Sequence, residues 1–304
     1  MIPLYFFTSL NSSFSKCITI HKRLPLSSLS PNNYSNEPSY EGCTFSPANP
    51  PQSISSANVD FSSCTFTALS SNSNGGAICF TNHDTGILTI VLCSFVQCFA
   101  NISVSEFHGG GAVWIDSGSK INVTSSTFLK CYTNSISGAI YVQRNCKYSH
   151  IVFTKFISCS ALHAGALSTY KGPYSVLSSS CFLSCSVANS GGGIYHDGGQ
   201  QCSFTLSNCL FCRNMAHCGD GRSGGAFEDH RQSQYASQYA FSFFAGNKAA
   251  NQQAHDILIY SNSLPASGIL CCFTTAICNS FLNKGVDQSN WLPFTKWNVI
   301  IAGI

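Results

Sequence analysis

Residues 128–194 carry one pattern three times over. It reads Phe128-Leu129-Lys130-Cys131 and then Ser137-Gly138-Ala139-Ile140; Phe156-Ile157-Ser158-Cys159 and then Ala164-Gly165-Ala166-Leu167; Phe182-Leu183-Ser184-Cys185 and then Gly191-Gly192-Gly193-Ile194. Outward from this stretch, the glycine step recurs as Gly75-Gly76-Ala77-Ile78, Gly110-Gly111-Ala112-Val113 and Gly224-Gly225-Ala226-Phe227. From Ala77 through Ala112, Ala139, Ala166, Gly193 and Ala226 the spacings are 35, 27, 27, 27 and 33. The phenylalanine half recurs as Phe95 with Cys98, Phe211 with Asn214 and Phe244 with Asn247. Phe66, with Leu69 in the second place, precedes that series, and Phe45 and Phe273 are its weaker outer members. Most copies set the Phe 10 or 11 residues before the glycine step; two have 15 to 17, which places insertions at 101–107 and 216–222.

A repeat of about 27 residues, built from short β-branched or aromatic runs and Gly/Asn/Ser turns, is too short for a βαβ unit. It is the length of one coil of a right-handed, single-stranded parallel β-helix with about three short strands per turn. Ile121-Asn122-Val123-Thr124 alternates apolar and polar residues, as a strand with one buried face does. Coils stack about 4.8 Å apart, so one sequence position in successive coils forms a column: Phe on Phe inside, Cys or Asn at a corner, Gly and Ala where bulk does not fit. The expected fold is an all-β solenoid of seven to eight coils. Residues 1–39 are expected to be an irregular N-terminal segment, 40–285 the β-helix, and 286–304 a C-terminal strand or tail.

Composition agrees with a coil that turns on uncharged residues. The 304 residues include 15 Lys+Arg against 12 Asp+Glu, 9% charged, where ordinary domains have about 25%. A coiled coil is excluded, because it needs abundant Ala, Glu, Lys and Leu. A chain 44% hydrophobic has enough apolar material for a core, which excludes general disorder. Net charge +3 over this length predicts no basic stripe and no nucleic-acid partner.

Gly-Gly-Ala-Ile alternating with Phe-x-x-Asn resembles the repeat of the polymorphic outer-membrane proteins of chlamydiae. Here Cys mostly replaces Asn, as in Phe128-Leu129-Lys130-Cys131, and similar Cys-bearing versions occur in trichomonad β-helix surface proteins. The resemblance covers about residues 40–280. It implies a surface-displayed or secreted, non-enzymatic β-helix acting in adhesion, with a host or neighbouring cell-surface protein or glycan as partner. Residues 2–10 are a short apolar run without a preceding basic residue, a weak signal segment at best. No run of about 18 uncharged apolar residues spans a membrane, so attachment would need an anchor not visible in this chain. The sequons at Asn11, Asn33, Asn101 and Asn122 fit an extracellular chain.

The chemistry-bearing residues are few. Of the 18 cysteines, Cys98, Cys131, Cys159 and Cys185 share one column, with Cα spacing inside disulfide range but Cβ atoms about 5 Å apart, beyond the usual range. They read as buried thiols, leaving disulfides possible within Cys202, Cys209, Cys212 and Cys218 or across Cys271, Cys272 and Cys278. Cys209-x-x-Cys212 with His217-Cys218 holds four soft ligands in ten residues. Repeat register explains Cys209 without a metal, since Cys64 and Cys93 also stand two before their Phe, and no metal or cofactor is expected. For an enzyme the relevant residues lie just past the glycine step: Asp116, Gln143, Tyr170 and Asp197 four residues on, Asp229 three on. Only Asp197 and Asp229, one coil apart, come within the roughly 5–9.5 Å of glycosidase carboxylates. With Glu228, His196 and His230 they form the alternative, a polysaccharide lyase or glycoside hydrolase. Strand ends turning into solvated loops account for these residues better than an active site does. The triple glycines lack the Lys-Ser/Thr and the helix of a phosphate loop.

Overall fold

The computed structural model describes residues 38–48, 52–54, 58–81, 86–102, 109–116, 118–144, 146–171, 174–198, 202–217, 224–231, 238–250, 256–261, 267–269, 272–273 and 281–284. Its strands belong to the unit 31–304. Residues 1–37 and 286–304, and with them the expected signal segment and C-terminal tail, lie outside the described residues.

One coil shows the whole design. Lys120–Thr124 runs through the first sheet, Thr127–Leu129 through the second, the two-residue Tyr132–Thr133 through a third and Ile140–Val142 through a fourth. Each strand pairs in parallel with its counterpart one coil on: Val123 with Ile151, Phe128 with Phe156, Tyr132 with Ser160, Ile140 with Leu167. The first, second and fourth sheets are nine strands deep and the third seven. The chain is therefore an all-β parallel β-solenoid. Among the described residues seven coils carry all four strands, and partial coils flank them. A coil has four strands rather than three. The additional strand is two residues long, too short for alternation to reveal.

Alternation decides what is inside. In Lys120–Thr124 only Ile121 and Val123 are buried; in Thr127–Leu129 only Phe128 is. The Phe column runs from Phe45 through Phe66, Phe95, Phe128, Phe156, Phe182 and Phe211 to Phe244, with stacked rings 4.4–5.1 Å apart. Burying each such side chain contributes about 1.5–3 kcal/mol. Beside it, the middle glycines of the glycine step stack backbone on backbone. A Cβ on Gly111 would lie 2.2 Å from the Gly138 carbonyl oxygen, and one on Gly138 2.2 Å from that of Gly165.

The corners follow equally strict columns. Residues before each Phe strand (Leu92, Ser125, Phe153, Ser179, Asn208) and after it (Gln97, Lys130, Ser158, Ser184, Arg213) have φ between 50° and 56°. That left-handed conformation costs an ordinary side chain about 1–3 kcal/mol, so something must hold it. The holder is the next, inward-facing residue. After the Phe strand, the thiols of Cys98, Cys131, Cys159 and Cys185 donate to the carbonyls of Phe66, Phe95, Phe128 and Phe156 one coil back, at 3.5–3.7 Å. Where the position is Asn, Nδ2 of Asn214 and Asn247 donates to the carbonyls of Phe182 and Phe211 at 3.0 and 3.1 Å. Cys and Asn interchange here because both place a donor on the same carbonyl. Before the Phe strand, Cys64, Cys93, Ser126, Thr154, Ser180, Cys209 and Ser242 form a second column, each donating to the carbonyl two residues back. The thirteen described cysteines that show side chains are all unbridged.

Candidate functional site

The fourth sheet carries the acid and base candidates, and strand parity sorts them. Ile194–Gly198 pairs with Phe227–Arg231 so that Tyr195 meets Glu228, His196 meets Asp229, and Asp197 meets His230. Ile194, His196 and Gly198 are buried while Tyr195 and Asp197 are half-buried, so His196 points inward and Asp197 outward. Asp229 stands level with His196 and is therefore inward too. The expected Asp197/Asp229 pair is corrected by this register: the two carboxylates lie on opposite faces of one sheet and cannot flank one bond. The signal was in the counting. Asp197 is four residues past its glycine step and Asp229 three past its own, and with a period of two an odd difference means opposite faces.

On the inward face the column Ile115, Val142, Thr169, His196, Asp229 turns from apolar to polar over three coils. Thr169 Oγ1 lies 2.6 Å from His196 Nδ1, His196 Nε2 lies 4.0 Å from Asp229 Oδ1, and the Tyr239 hydroxyl donates to Asp229 Oδ2. All four residues are at most 1% exposed, and the His196 ring packs 4.7 Å from that of Phe204. A hydroxyl, an imidazole and a carboxylate in line have the composition of a nucleophilic triad. In this sheet they are sealed inside a wall of phenylalanines, where no substrate reaches them, and they act as a hydrogen-bonded core plug.

On the outward face, Glu228 accepts a hydrogen bond from His230 Nε2 and is itself 2% exposed. The Tyr195 ring stands 5.4 Å from the His230 ring. Burial raises the Asp197 carboxyl above its usual value, Lys171 and His230 pull it back, and Asp229 across the sheet adds a smaller upward push. Lys171 lies over the Tyr170 ring at 5.1 Å, and its amide donates to the Asp197 carbonyl at 2.6 Å. Of the three carboxylates proposed from sequence, two therefore share a face, Asp197 and Glu228, and Glu228 is already held by His230. Asp116 is 6% exposed, three coils from Asp197.

The soft-ligand cluster does not assemble. Cys209 is buried in the inner corner column, with its thiol on the Ser207 carbonyl at 3.3 Å. Cys212, three residues on, faces outward, and His217 is exposed beyond the next strand. Cys218 lies outside the described residues, as do Cys271 and Cys278, while Cys272 is described in its backbone alone. Among the described residues no group of three or more potential ligands could hold a metal ion.

The outward face holds one feature that the overall charge concealed. Trp114, Tyr141 and Ser168 occupy successive coils and are 6%, 1% and 1% exposed although they face away from the main core. Trp114 and Tyr141 form a separate apolar cluster with Ile136, Cys79 and Tyr170. Trp114 Nε1, the Tyr141 hydroxyl, Gln143 Oε1 and Ser168 Oγ are buried without a hydrogen-bond partner. Beside them, Arg144 and Lys147 are exposed in the turn leading back to the first sheet. Between Asp116 and Asp197 the chain has no carboxylate at all, but has Lys120, Lys130, Arg144, Lys147, Lys155 and Lys171. The total charge of +3 averages over this carboxylate-free segment.

No helix among the described residues is long and apolar enough to cross a membrane. Comparison with protein families, with curated proteins and with solved structures gives no match to this chain.

Proposed function

We propose that this chain is a non-enzymatic contact protein, secreted or displayed at a cell surface, whose solenoid holds an outer face against a protein or glycan of another cell. The supporting observation is the division of its acid and base groups by a sheet: His196 and Asp229 are spent inside the core, and Glu228 outside is tied to His230. The repeat adds to this reading. Its Phe-x-x-Cys and Phe-x-x-Asn corners make the same hydrogen bond, which fits the resemblance to polymorphic outer-membrane repeats. Function in such a scaffold lies in its surface rather than in its fold.

The test is a paired assay on the purified chain. Binding to cells or extracellular matrix with no cleavage across a broad polysaccharide panel is the expected result. Cleavage of any glycan that Asp197→Asn abolishes overturns it. One observation favours that second reading: a carboxyl raised by burial at Asp197, one coil from Glu228, has the character of a general acid. An enzyme of that kind would use Asp197 and Glu228, with Asp229 excluded by its face.

A further inference from the structure

We infer that the outer face of the fourth sheet, with the turn that follows it, binds an anionic polysaccharide running along the solenoid axis. The inference rests on the contact reading above and names the ligand and the site.

Three observations meet there. The first is charge. Lys120 begins its strand in the first sheet, Lys147 stands level with Ser119 on the next coil, and Arg144 and Lys171 follow fourth-sheet strands on successive coils. Asp116 and Asp197 bound this group, and no carboxylate lies between them in the chain. Cations grouped in this way attract an anion even where the whole molecule is close to neutral.

The second is unspent hydrogen bonding. Trp114 Nε1, the Tyr141 hydroxyl, Ser168 Oγ and Gln143 Oε1 lie without partners on three successive coils of one face. Each such buried polar atom costs about 1–3 kcal/mol. A row of them beside a basic turn matches a ligand that offers hydroxyls next to its charges. Sugars do so along their whole length; the phosphates of a nucleic acid backbone offer acceptors only. The half-buried Gln143 is the member of this row at the surface, where its amide would meet a sugar hydroxyl, while the indole and phenol, 6% and 1% exposed, form the floor beneath it. Burial pushes the Tyr141 phenol up, so it remains a donor.

The third is repeat length. Neighbouring coils are about 4.8 Å apart, close to the advance of one pyranose residue in an extended glycan. A polymer lying along the axis therefore meets an equivalent position on every coil, and the half-buried Tyr170 supplies an aromatic edge beside the cations. Four cations on three coils suit a short, regularly charged glycan segment better than a duplex, whose binding scales with the number of phosphates neutralised.

The test uses the full purified chain with immobilised heparin and immobilised polygalacturonate, dextran as the neutral polymer, and duplex DNA as a charge-matched competitor. Retention on at least one anionic glycan is expected, weakening with salt, with no retention on dextran. The double variant Arg144→Gln/Lys147→Gln should bind at least about ten-fold more weakly, the loss of two charge contacts. Lys130→Gln, which installs the residue that the preceding coil carries at that corner as Gln97, should bind like the parent. Unchanged melting temperatures identify both variants as folded. No retention on either anionic glycan, equal binding by the double variant, or competition by duplex as effective as by soluble glycan overturns the inference. If retention is absent while cell or matrix binding persists, the ligand assignment falls and the contact reading stands; if both are absent, both fall.

Discussion

The two faces of the fourth sheet use polar residues in opposite ways. Inside, Thr169, His196, Asp229 and Tyr239 are packed among phenylalanines and joined by hydrogen bonds, as buried polar groups must be. Outside, over the coils just before, Trp114, Tyr141 and Ser168 are as well buried yet leave polar atoms without partners. The same strands, one residue out of phase, thus carry a hydrogen-bonded cluster and a row of polar atoms without partners. The cluster stabilises the fold, whereas the row without partners lowers its stability.

The sharpest way to break that contrast is inside. Asp229→Ala removes the acceptor for Tyr239 and the carboxylate facing His196, and should cost about 3–4 kcal/mol in chemical denaturation. A loss below about 1 kcal/mol would mean that the network is not structural. The corner column comes next. Asn214 donates to the Phe182 carbonyl and accepts from the Cys185 amide, so Asn214→Val should cost about 2–3 kcal/mol. Cys185→Asn, which extends the Asn run by one coil, should stay within about 1 kcal/mol of the parent, since the donor to the Phe156 carbonyl is kept.

On the outer face the sign reverses. Tyr141→Phe deletes a hydroxyl that has no partner and should raise stability by about 1 kcal/mol in the ligand-free protein. A destabilised Tyr141→Phe protein would place this face with the inner one. The smallest effect concerns Asp197, whose carboxyl is raised in the folded chain. Below the unfolded carboxylate value both states are protonated and the residue is neutral to stability. As pH rises through the window between the unfolded and the raised folded value, the unfolded state ionises first and stability is lost. Asp197→Asn should therefore melt slightly higher than the parent at pH 7 and the same at pH 3, read by thermal melts at both.

Much of this architecture is legible in the chain. The columns of Phe, Cys/Asn and Gly can be counted directly, because every coil must reproduce the cross-section of its neighbour. The two-residue third strand escapes, since two residues show no period. Asp197 and Asp229 are one coil apart, but parity rather than proximity decides the face, and their odd offset puts them on opposite sides of the sheet. The basic segment around Arg144 and Lys147 was hidden by averaging, because carboxylates elsewhere bring the total charge to +3. The unspent atoms of Trp114 and Tyr141 could not be read at all, since hydrogen-bond satisfaction is a property of packed side chains.

The central claim is that the fourth sheet parts its carboxylates, leaving no acid/base pair of Asp197 and Asp229 on any one surface. Carbodiimide labelling of native protein, mapped by mass spectrometry, tests it directly. Asp197, half-buried on the outer face, should be labelled, while Asp229 at 0% exposure should stay silent until the chain is unfolded. Labelling of Asp229 in the native protein at a rate comparable to Asp197 would contradict the account.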